Sequence, residues 1–286
     1  MSAAKPRLIR LTVTGHDRKG VVARFASFLF ENDVNIEDID QHVAHDLFVM
    51  TMQADVRDCP HSPVKLEREL KAVGRGIGMD VHVRPEHQAD VKRIAVLVTK
   101  EPHVLEQLAR DVRRGRIRGR IAIVIGNSRA LEPLARKHGL PFIHVPSNDR
   151  ARSEQRIASL LRRHAADVIV LARYMQILSP SFVFRYQGRI INIHPSLLPA
   201  FPGPRAYAQA HDAGVTVAGC TAHFVTTDLD RGPIILQDSF RIDKGRDRLP
   251  DLIRRGRALE ARVLAEAVRL YCADRLRLRR SKVVWK

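Results

Sequence analysis

The chain has 286 residues, 45% of them apolar, and its 49 basic and 31 acidic residues give a formal net charge of +18. This length and apolar content predict two domains, or one large one, with buried cores. Three widely spaced cysteines, no apolar run of about 18 residues and no cleavable leader pattern exclude a disulfide-bonded scaffold and a transmembrane protein. They favour a cytoplasmic location.

The first third of the chain predicts a small mixed domain. Strands are predicted at 7–13, 35–39, 47–55 and 79–83, and helices at 21–31 and 64–73. The order strand–helix–strand–strand–helix–strand is typical of a ferredoxin-like α+β domain. We therefore place a domain at 1–84, followed by a polar linker without periodicity at 85–92.

The remainder predicts a second domain, of α/β class, at 93–286. Strands are predicted at 93–98, 121–125, 142–145 and 167–171, and helices at 104–112, 129–138 and 153–165. This alternation implies a Rossmann-like, doubly wound and mostly parallel sheet. A long amphipathic helix at 248–273 and a short edge hairpin that turns near Arg280 complete it. No G-x-G-x-x-G follows the first strand, so we exclude a nicotinamide cofactor.

The basic residues gather at 110–120, 254–257 and 275–282. Such clusters are compatible with contacts to nucleic-acid phosphates, with attraction of an acidic substrate, or with no more than solvated surfaces of an arginine-rich protein. Net charge bears on encounter rate and solubility rather than on one partner, so the composition leaves these alternatives open.

Polar residues end a buried strand near the middle of the second domain. Asn192 and His194 follow the apolar pair Ile190-Ile191 and leave the same face of the strand. Ligands bind beyond the carboxyl ends of strands in open α/β sheets, so this pair is suited to chemistry, although both types also end strands for structural reasons. A later polar turn at 226–233 places Asp230 in a loop tip that can fold back over this strand end.

Three segments carry a resemblance to a known family. NIHPSLLPAF at 192–201, GCTAHFV at 219–225 and LDRGPIILQ at 229–237 resemble the active-site signature of folate-dependent formyltransferases and deformylases. The resemblance implies that Asn192, His194 and Asp230 are catalytic. The first two would donate N–H groups to the oxygen on which negative charge develops, and Asp230 would hold the attacking water or amine and accept its proton.

The resemblance also implies that 10-formyltetrahydrofolate is a substrate, so no cofactor is expected. No metal is expected either, because His211 and His223 form no zinc motif and are interpreted as structural. The segment LARYMQIL at 171–178 resembles the pterin pocket of the family. It implies folate contacts for Met175, Gln176, Ile177 and Leu178, with the role of Gln176 open; without the resemblance, the segment is compatible with a buried strand end.

The segment TKEPHVL at 99–105 separates hydrolysis from transfer. Transferases that act on a nucleotide carry a phosphate-binding loop here, whereas Pro102 lacks an N–H and Glu101 repels phosphate, as in the deformylases. The resemblance therefore implies hydrolysis of 10-formyltetrahydrofolate to tetrahydrofolate and formate. Pro195 follows the catalytic His as in the transferases, which keeps two alternatives open: formyl transfer to a nucleotide or aminoacyl-tRNA amine, and a non-catalytic amino-acid sensor.

The N-terminal strand, the turn Asp17-Arg18-Lys19-Gly20 and the following helix resemble the ACT domain. The resemblance implies an amino-acid effector bound by Asp17, Lys19, Gly20 and Asn35, and a homo-oligomer, either a dimer or a tetramer. The structural alternative is that Gly20 only permits the turn and Asp17 caps the helix. A membrane partner is not expected, and a nucleic-acid partner is disfavoured.

Overall fold

A computed structural model of the protein describes residues 7–44, 46–85, 91–279 and 282–285. The chain divides into two compact units, Met1–Ala89 and Asp90–Lys286. Residues 86–90 of the predicted linker lie outside the described residues. Among the helices of the described ranges, none has the length and hydropathy that a bilayer-spanning segment needs.

The first unit is a four-stranded antiparallel sheet with two helices. Its elements are β1 Leu8–His16, α1 Val21–Glu31, β2 Asn35–Ala44, β3 Leu47–Asp55, α2 Pro63–Gly76 and β4 Asp80–Pro85. The strand order β2-β3-β1-β4 is that of the predicted ferredoxin-like domain, which is confirmed. The core forms because alternate residues of β1, such as Leu11 and Val13, pack with Phe25 and Leu29 of α1 and Leu70 of α2.

The two helices of this unit begin differently. The Ser62 hydroxyl accepts a hydrogen bond from the Lys65 backbone N–H at the start of α2. The residue that precedes α1 is Gly20, with φ of 85°, and no side chain in the described part of the chain caps the helix. This left-handed conformation favours glycine. The interpretation of Asp17 as the helix cap is therefore wrong; its backbone N–H instead donates to the Asp46 carbonyl.

The second unit is built on a seven-stranded sheet. Its first elements are β5 Lys92–Val98, α3 His103–Arg113, β6 Gly119–Gly126, α4 Glu132–Lys137, β7 Phe142–His144, α5 Arg150–Arg163, β8 Val168–Ala172 and α6 Pro180–Arg185. They are followed by β9 Ile190–His194, α7 Ala206–Asp212, β10 Val217–Phe224, β11 Ile234–Arg241, α8 Leu249–Cys272, β12 Leu276–Arg279 and β13 Lys282–Trp285. The helix predicted at 129–138 is a 3-10 turn at Arg129–Leu131 that leads into α4, whose first turn accommodates Pro133.

The sheet order is β11-β10-β9-β8-β5-β6-β7. The strands from β9 to β7 run parallel, whereas β10 and β11 run antiparallel. The mostly parallel fold class is therefore confirmed. The hairpin of β12 and β13 is also confirmed, as a separate two-stranded sheet rather than an edge of the large one, and its predicted turn lies outside the described residues.

Both faces of the large sheet are covered. Ile94, Val96 and Val98 of β5 pack with α3 and α8, whereas the alternate residues Ala95 and Leu97 pack with α5. The chain proceeds from β5 to β6 and β7 on one side, then crosses to β8 and β9 on the other. The point between β5 and β8 is a topological switch point, and a ligand site is expected beyond the carboxyl ends of these strands.

Candidate active site

A cavity of about 580 Å³ lies at this end of the sheet. It is lined by the ends of β8, β9 and β10 and by the loop before β11, which contribute Asn192, His194, His223 and Asp230. The three residues predicted to be catalytic therefore share one cavity, together with a second histidine that was interpreted as structural.

The pairing of β9 with β10 brings Asn192 and His223 together. The two residues are direct cross-strand partners in the antiparallel register, and the Asn192 Nδ2 lies 3.2 Å from the His223 Nε2. The His223 Nδ1 lies 2.9 Å from the Phe224 carbonyl, an acceptor, so Nδ1 carries the ring proton and Nε2 presents a lone pair to the amide. This contact fixes the orientation of the Asn192 amide and leaves its second N–H for the cavity.

Burial lowers the pKa of His223, although the hydrogen bond to Phe224 and the charge of Asp230 oppose this shift. The ring is 2% exposed and therefore stays neutral near pH 7. A signal for its position was present in the sequence, because Thr221 and His223 are polar residues two apart in an otherwise apolar strand. Only the register of β9 against β10 shows which residue each of them faces.

His194 is 4% exposed and lies between two oxygen atoms. Its Nε2 is 2.9 Å from the Phe201 carbonyl, and its Nδ1 is 3.2 Å from the Asp230 Oδ2. Both neighbours are acceptors when Asp230 is ionised, so the ring satisfies both only if each nitrogen carries a proton. The two ring nitrogens therefore face two oxygen acceptors, the Phe201 carbonyl and the Asp230 carboxylate.

The position of the Asp230 carboxylate depends on the backbone conformation of the residue as well as on the contact with His194. The residue has φ of 55°, a left-handed conformation that aspartate tolerates better than most residues. Its Oδ2 accepts the Gly203 N–H at 2.9 Å. Burial by itself raises the pKa of Asp230, but the hydrogen bonds from His194 and Gly203 outweigh it, and the pKa is lowered.

The Asp230 Oδ1 is the oxygen left for a ligand. The His223 Nε2 lies 3.9 Å from this oxygen, which is beyond hydrogen-bond distance. The loop that carries Asp230 returns to the sheet at Gly232, where a Cβ atom would lie 1.7 Å from the Phe224 carbonyl oxygen. Only glycine allows this approach, which brings the carboxylate back over the end of β9.

The predicted folate residues Met175, Gln176, Ile177 and Leu178 all line the cavity. Met175 is 57% and Ile177 65% exposed, so the alternative of a buried strand end is wrong for this segment. Two contacts hold the loop. The Met175 N–H donates to the Thr99 Oγ1 at 3.0 Å. At the other end, the Glu154 carboxylate accepts hydrogen bonds from the backbone N–H and the hydroxyl of the residue that caps α6, Ser179.

In the first unit, Asp17, Lys19 and Gly20 lie exposed in the turn between β1 and α1, and Asn35 is the first residue of β2. The Asn35 side-chain amide donates to the Glu37 carboxylate at 2.9 Å rather than to the turn. In the second unit, His211 is 43% exposed on α7 beside Asp212. In the described part of the chain, no three His, Cys, Asp or Glu side chains are grouped as metal ligands.

An amide, an imidazole and a carboxylate around one cavity, at the ends of a mostly parallel sheet, define an enzyme of the formyl transferase class. Comparison with family models agrees. A model described as formyl transferase matches residues 92–268, and a model described as an ACT domain matches residues 7–84.

Relatives that match most of the chain specify the family further. The formyltetrahydrofolate deformylase of Bacillus subtilis is 37% identical, over 96% of this chain and 92% of its own. The crystal structure of the deformylase from Pseudomonas syringae superposes with a TM-score of 0.67 and 33% identity, over 98% and 95% of the two chains. Glycinamide ribonucleotide transformylase 1 from Symbiobacterium toebii has a TM-score of 0.66 and 38% identity, over 71% of this chain and 97% of its own.

The chain therefore belongs to the formyltetrahydrofolate deformylase family.

Proposed function

We propose that the protein hydrolyses 10-formyltetrahydrofolate to tetrahydrofolate and formate. The observation that carries this proposal is the convergence of Asn192, His194 and Asp230 in one cavity. It is supported by relatives named as deformylases that match both units of the chain. The folate loop at Met175–Leu178 lines the same cavity, so a pterin held there presents its formyl group to the three side chains.

The first step is attack of water on the formyl carbon. A water held by the Asp230 Oδ1, which has no hydrogen-bond partner among the described residues, forms the new C–O bond and loses a proton to the carboxylate. Negative charge develops on the formyl oxygen. The free N–H of the Asn192 amide donates to this oxygen, and the His194 Nε2–H is shared between it and the Phe201 carbonyl.

The second step is loss of tetrahydrofolate. The C–N bond to the pterin nitrogen breaks, and this nitrogen needs a proton to leave as a neutral amine. The His194–Asp230 pair holds the proton taken from water and returns it to the leaving nitrogen. The site then regains its starting protonation, and the formic acid that is formed releases its proton to solvent as formate, the second product.

The segment that leads into α3 favours hydrolysis over transfer to a nucleotide. Pro102 precedes α3 and has no N–H to offer a phosphate. Glu101 is already paired with Arg257, at 2.9 Å between Oε2 and Nη2. A phosphate at this segment would meet a carboxylate rather than an anion-binding loop.

The test is formate release from 10-formyltetrahydrofolate with no amine acceptor present. We expect turnover by the wild-type protein and a loss of about 10²–10³ in kcat for His194→Ala, which removes an oxyanion donor. His211→Ala is the matched control, because it removes an exposed histidine of the same unit. Absence of formate from the wild-type protein would reject hydrolysis, and formyl product only with an added amine would favour transfer. Turnover of either kind would exclude the non-catalytic sensor.

We further propose that the ACT domain binds an amino acid at Asp17, Lys19, Gly20 and Asn35, and that the protein is a homo-oligomer. All four residues are exposed, which supports access of a ligand to them. Three cysteines without a disulfide bond fit the cytoplasm. Formate release measured with each free amino acid tests the effector site. Light scattering on the protein as it elutes from a size-exclusion column tests the oligomeric state. Unchanged rates with all twenty would reject the effector site.

A further inference from the structure

One carboxylate in the cavity takes no part in the proposed hydrolysis. Glu260 of α8 is 1% exposed and lines the same cavity as the catalytic residues. The Tyr207 hydroxyl donates to its Oε1 at 3.0 Å, and the His103 Nε2 lies 3.3 Å from its Oε2. A buried carboxylate stays charged only with partners of this kind. Burial and the Glu260 charge both raise the pKa of Tyr207, so the phenol remains a donor.

The third partner of Glu260 is Arg173, the residue after β8. Its Nε lies 3.7 Å from the Glu260 Oε2, and among the described residues this Nε has no hydrogen-bond partner. The two groups are therefore held together by charge rather than by a directional bond. Arg173 has φ of 58°, a conformation that favours glycine. A long cationic side chain at such a position is an outlier of the kind that gathers at functional sites.

The surroundings leave little room for a second organic substrate. Gly256 lies so close to Tyr207 that a Cβ there would come within 2.1 Å of the ring, so the phenol is tightly held against α8. A cavity of about 580 Å³ has the size that one drug-sized ligand fills. A bound folate would therefore fill much of this volume, and Glu260 lines the same cavity.

We propose that the Arg173 guanidinium occupies the place beside Glu260 in which an amine acceptor would bind, and that it thereby selects water as the acceptor. This inference rests on the proposed hydrolysis. Amines exist largely as ammonium ions near pH 7, and a buried carboxylate stabilises such an ion. With Arg173 present the carboxylate already has a cation. Water needs no such partner and reaches the formyl carbon beside Asp230.

The two reactions differ only in the nucleophile. In hydrolysis, the oxygen of water bonds to the formyl carbon, the bond to the pterin nitrogen breaks, and formate forms. In transfer, the acceptor ammonium first releases one proton to solvent, and its nitrogen then bonds to the same carbon. The same bond breaks, while a second proton passes from the acceptor nitrogen to the pterin nitrogen. Neither reaction changes the oxidation state of any group, so no further reactant is required.

The experiment compares Arg173→Gly with the wild-type protein. Glycine suits the backbone conformation at 173, and Glu260 keeps its contacts with Tyr207 and His103. Each protein is given 10-formyltetrahydrofolate and glycinamide as the amine probe, and N-formylglycinamide and formate are measured together. Arg205→Gly is the matched control, because Arg205 also has φ of 58° and lines the cavity, but within the described ranges it forms no ion pair with Glu260.

We expect Arg173→Gly to raise the ratio of N-formylglycinamide to formate at least tenfold, with formate release in the absence of glycinamide within about threefold of the wild-type rate. Arg205→Gly should keep the wild-type ratio, and adding Glu260→Gln to Arg173→Gly should remove the gain. An unchanged ratio in Arg173→Gly, or an equal gain in Arg205→Gly, would overturn the inference. So would loss of formate release in Arg173→Gly, since Arg173 would then serve hydrolysis itself. Failure of the wild-type protein to release formate would instead reject the proposed function.

Discussion

Replacement of Asp230 by asparagine separates the chemistry of this site from its stability. The side chain is 7% exposed and accepts hydrogen bonds from Gly203, at 2.9 Å, and from His194, at 3.2 Å. Asparagine has the same shape and keeps an oxygen for Gly203, but it carries no charge and cannot accept the proton of water. Loss of a general base costs about 10²–10⁴ in kcat, or roughly 3–5 kcal/mol in the barrier.

The effect on folding is smaller. A hydrogen bond to a charged group contributes about 1.5–3 kcal/mol and a neutral one about 0.5–1.5 kcal/mol, so the exchange costs about 1 kcal/mol. In a unit of this size that lowers Tm by about 2–4 °C. Formate release under saturating folate, together with a thermal melt, measures both quantities.

Asp212→Asn is the control for the same chemical change, because that side chain is 78% exposed on α7. It should leave both the rate and Tm near their wild-type values. If Asp230→Asn releases formate within about threefold of the wild-type rate while folded, Asp230 is not the group that accepts the proton of water.

Three other predictions test the surroundings of this carboxylate. His223→Phe removes the acceptor of the Asn192 amide, and leaving a buried group unpaired costs about 1–3 kcal/mol. We therefore expect kcat to fall tenfold or more at unchanged KM, as measured by steady-state formate release. The lowered pKa of Asp230 means that its stabilisation is complete above about pH 3.9, its unfolded value, and is lost as pH falls through the lower folded value. Urea unfolding should therefore show a difference in the free energy of unfolding between wild type and Asp230→Asn that is constant above pH 4 and becomes smaller below it. A difference that becomes smaller between pH 7 and 5 would contradict this. Thr99→Ala removes the acceptor of the Met175 N–H and should raise KM for the folate about three- to tenfold at similar kcat, with Thr99→Ser as the control that restores it.

The local sequence pattern was enough to predict the order of most helices and strands. Apolar runs such as Ile94–Val98 and Val168–Leu171 are buried on both faces, as parallel strands are, and they predict their own conformation. Alternation also places Asn192 and His194 on one face of β9. The start of α1 is a case where local reasoning failed, because a capping side chain and a left-handed glycine both end a turn and the sequence at 17–20 allows either.

The contacts of the site depend on groups that are distant along the chain. Asn192 and His223 meet through one particular register of β9 against β10, and a shift of one residue would turn His223 to the other face. Likewise, Glu260, Tyr207 and Arg173 converge from three separate elements. No local pattern specifies such a meeting.

The sequence alone determined the two domains' classes, the order of their strands and helices and the residue types at the ends of the strands, because backbone preferences and hydrophobic periodicity act over a few residues. Only the tertiary structure decided which atoms face the cavity. The protonated nitrogen of His223, the free oxygen of Asp230 and the guanidinium beside Glu260 depend on distances of a few ångströms between separate elements, and these distances exist only after the sheet and helices have packed.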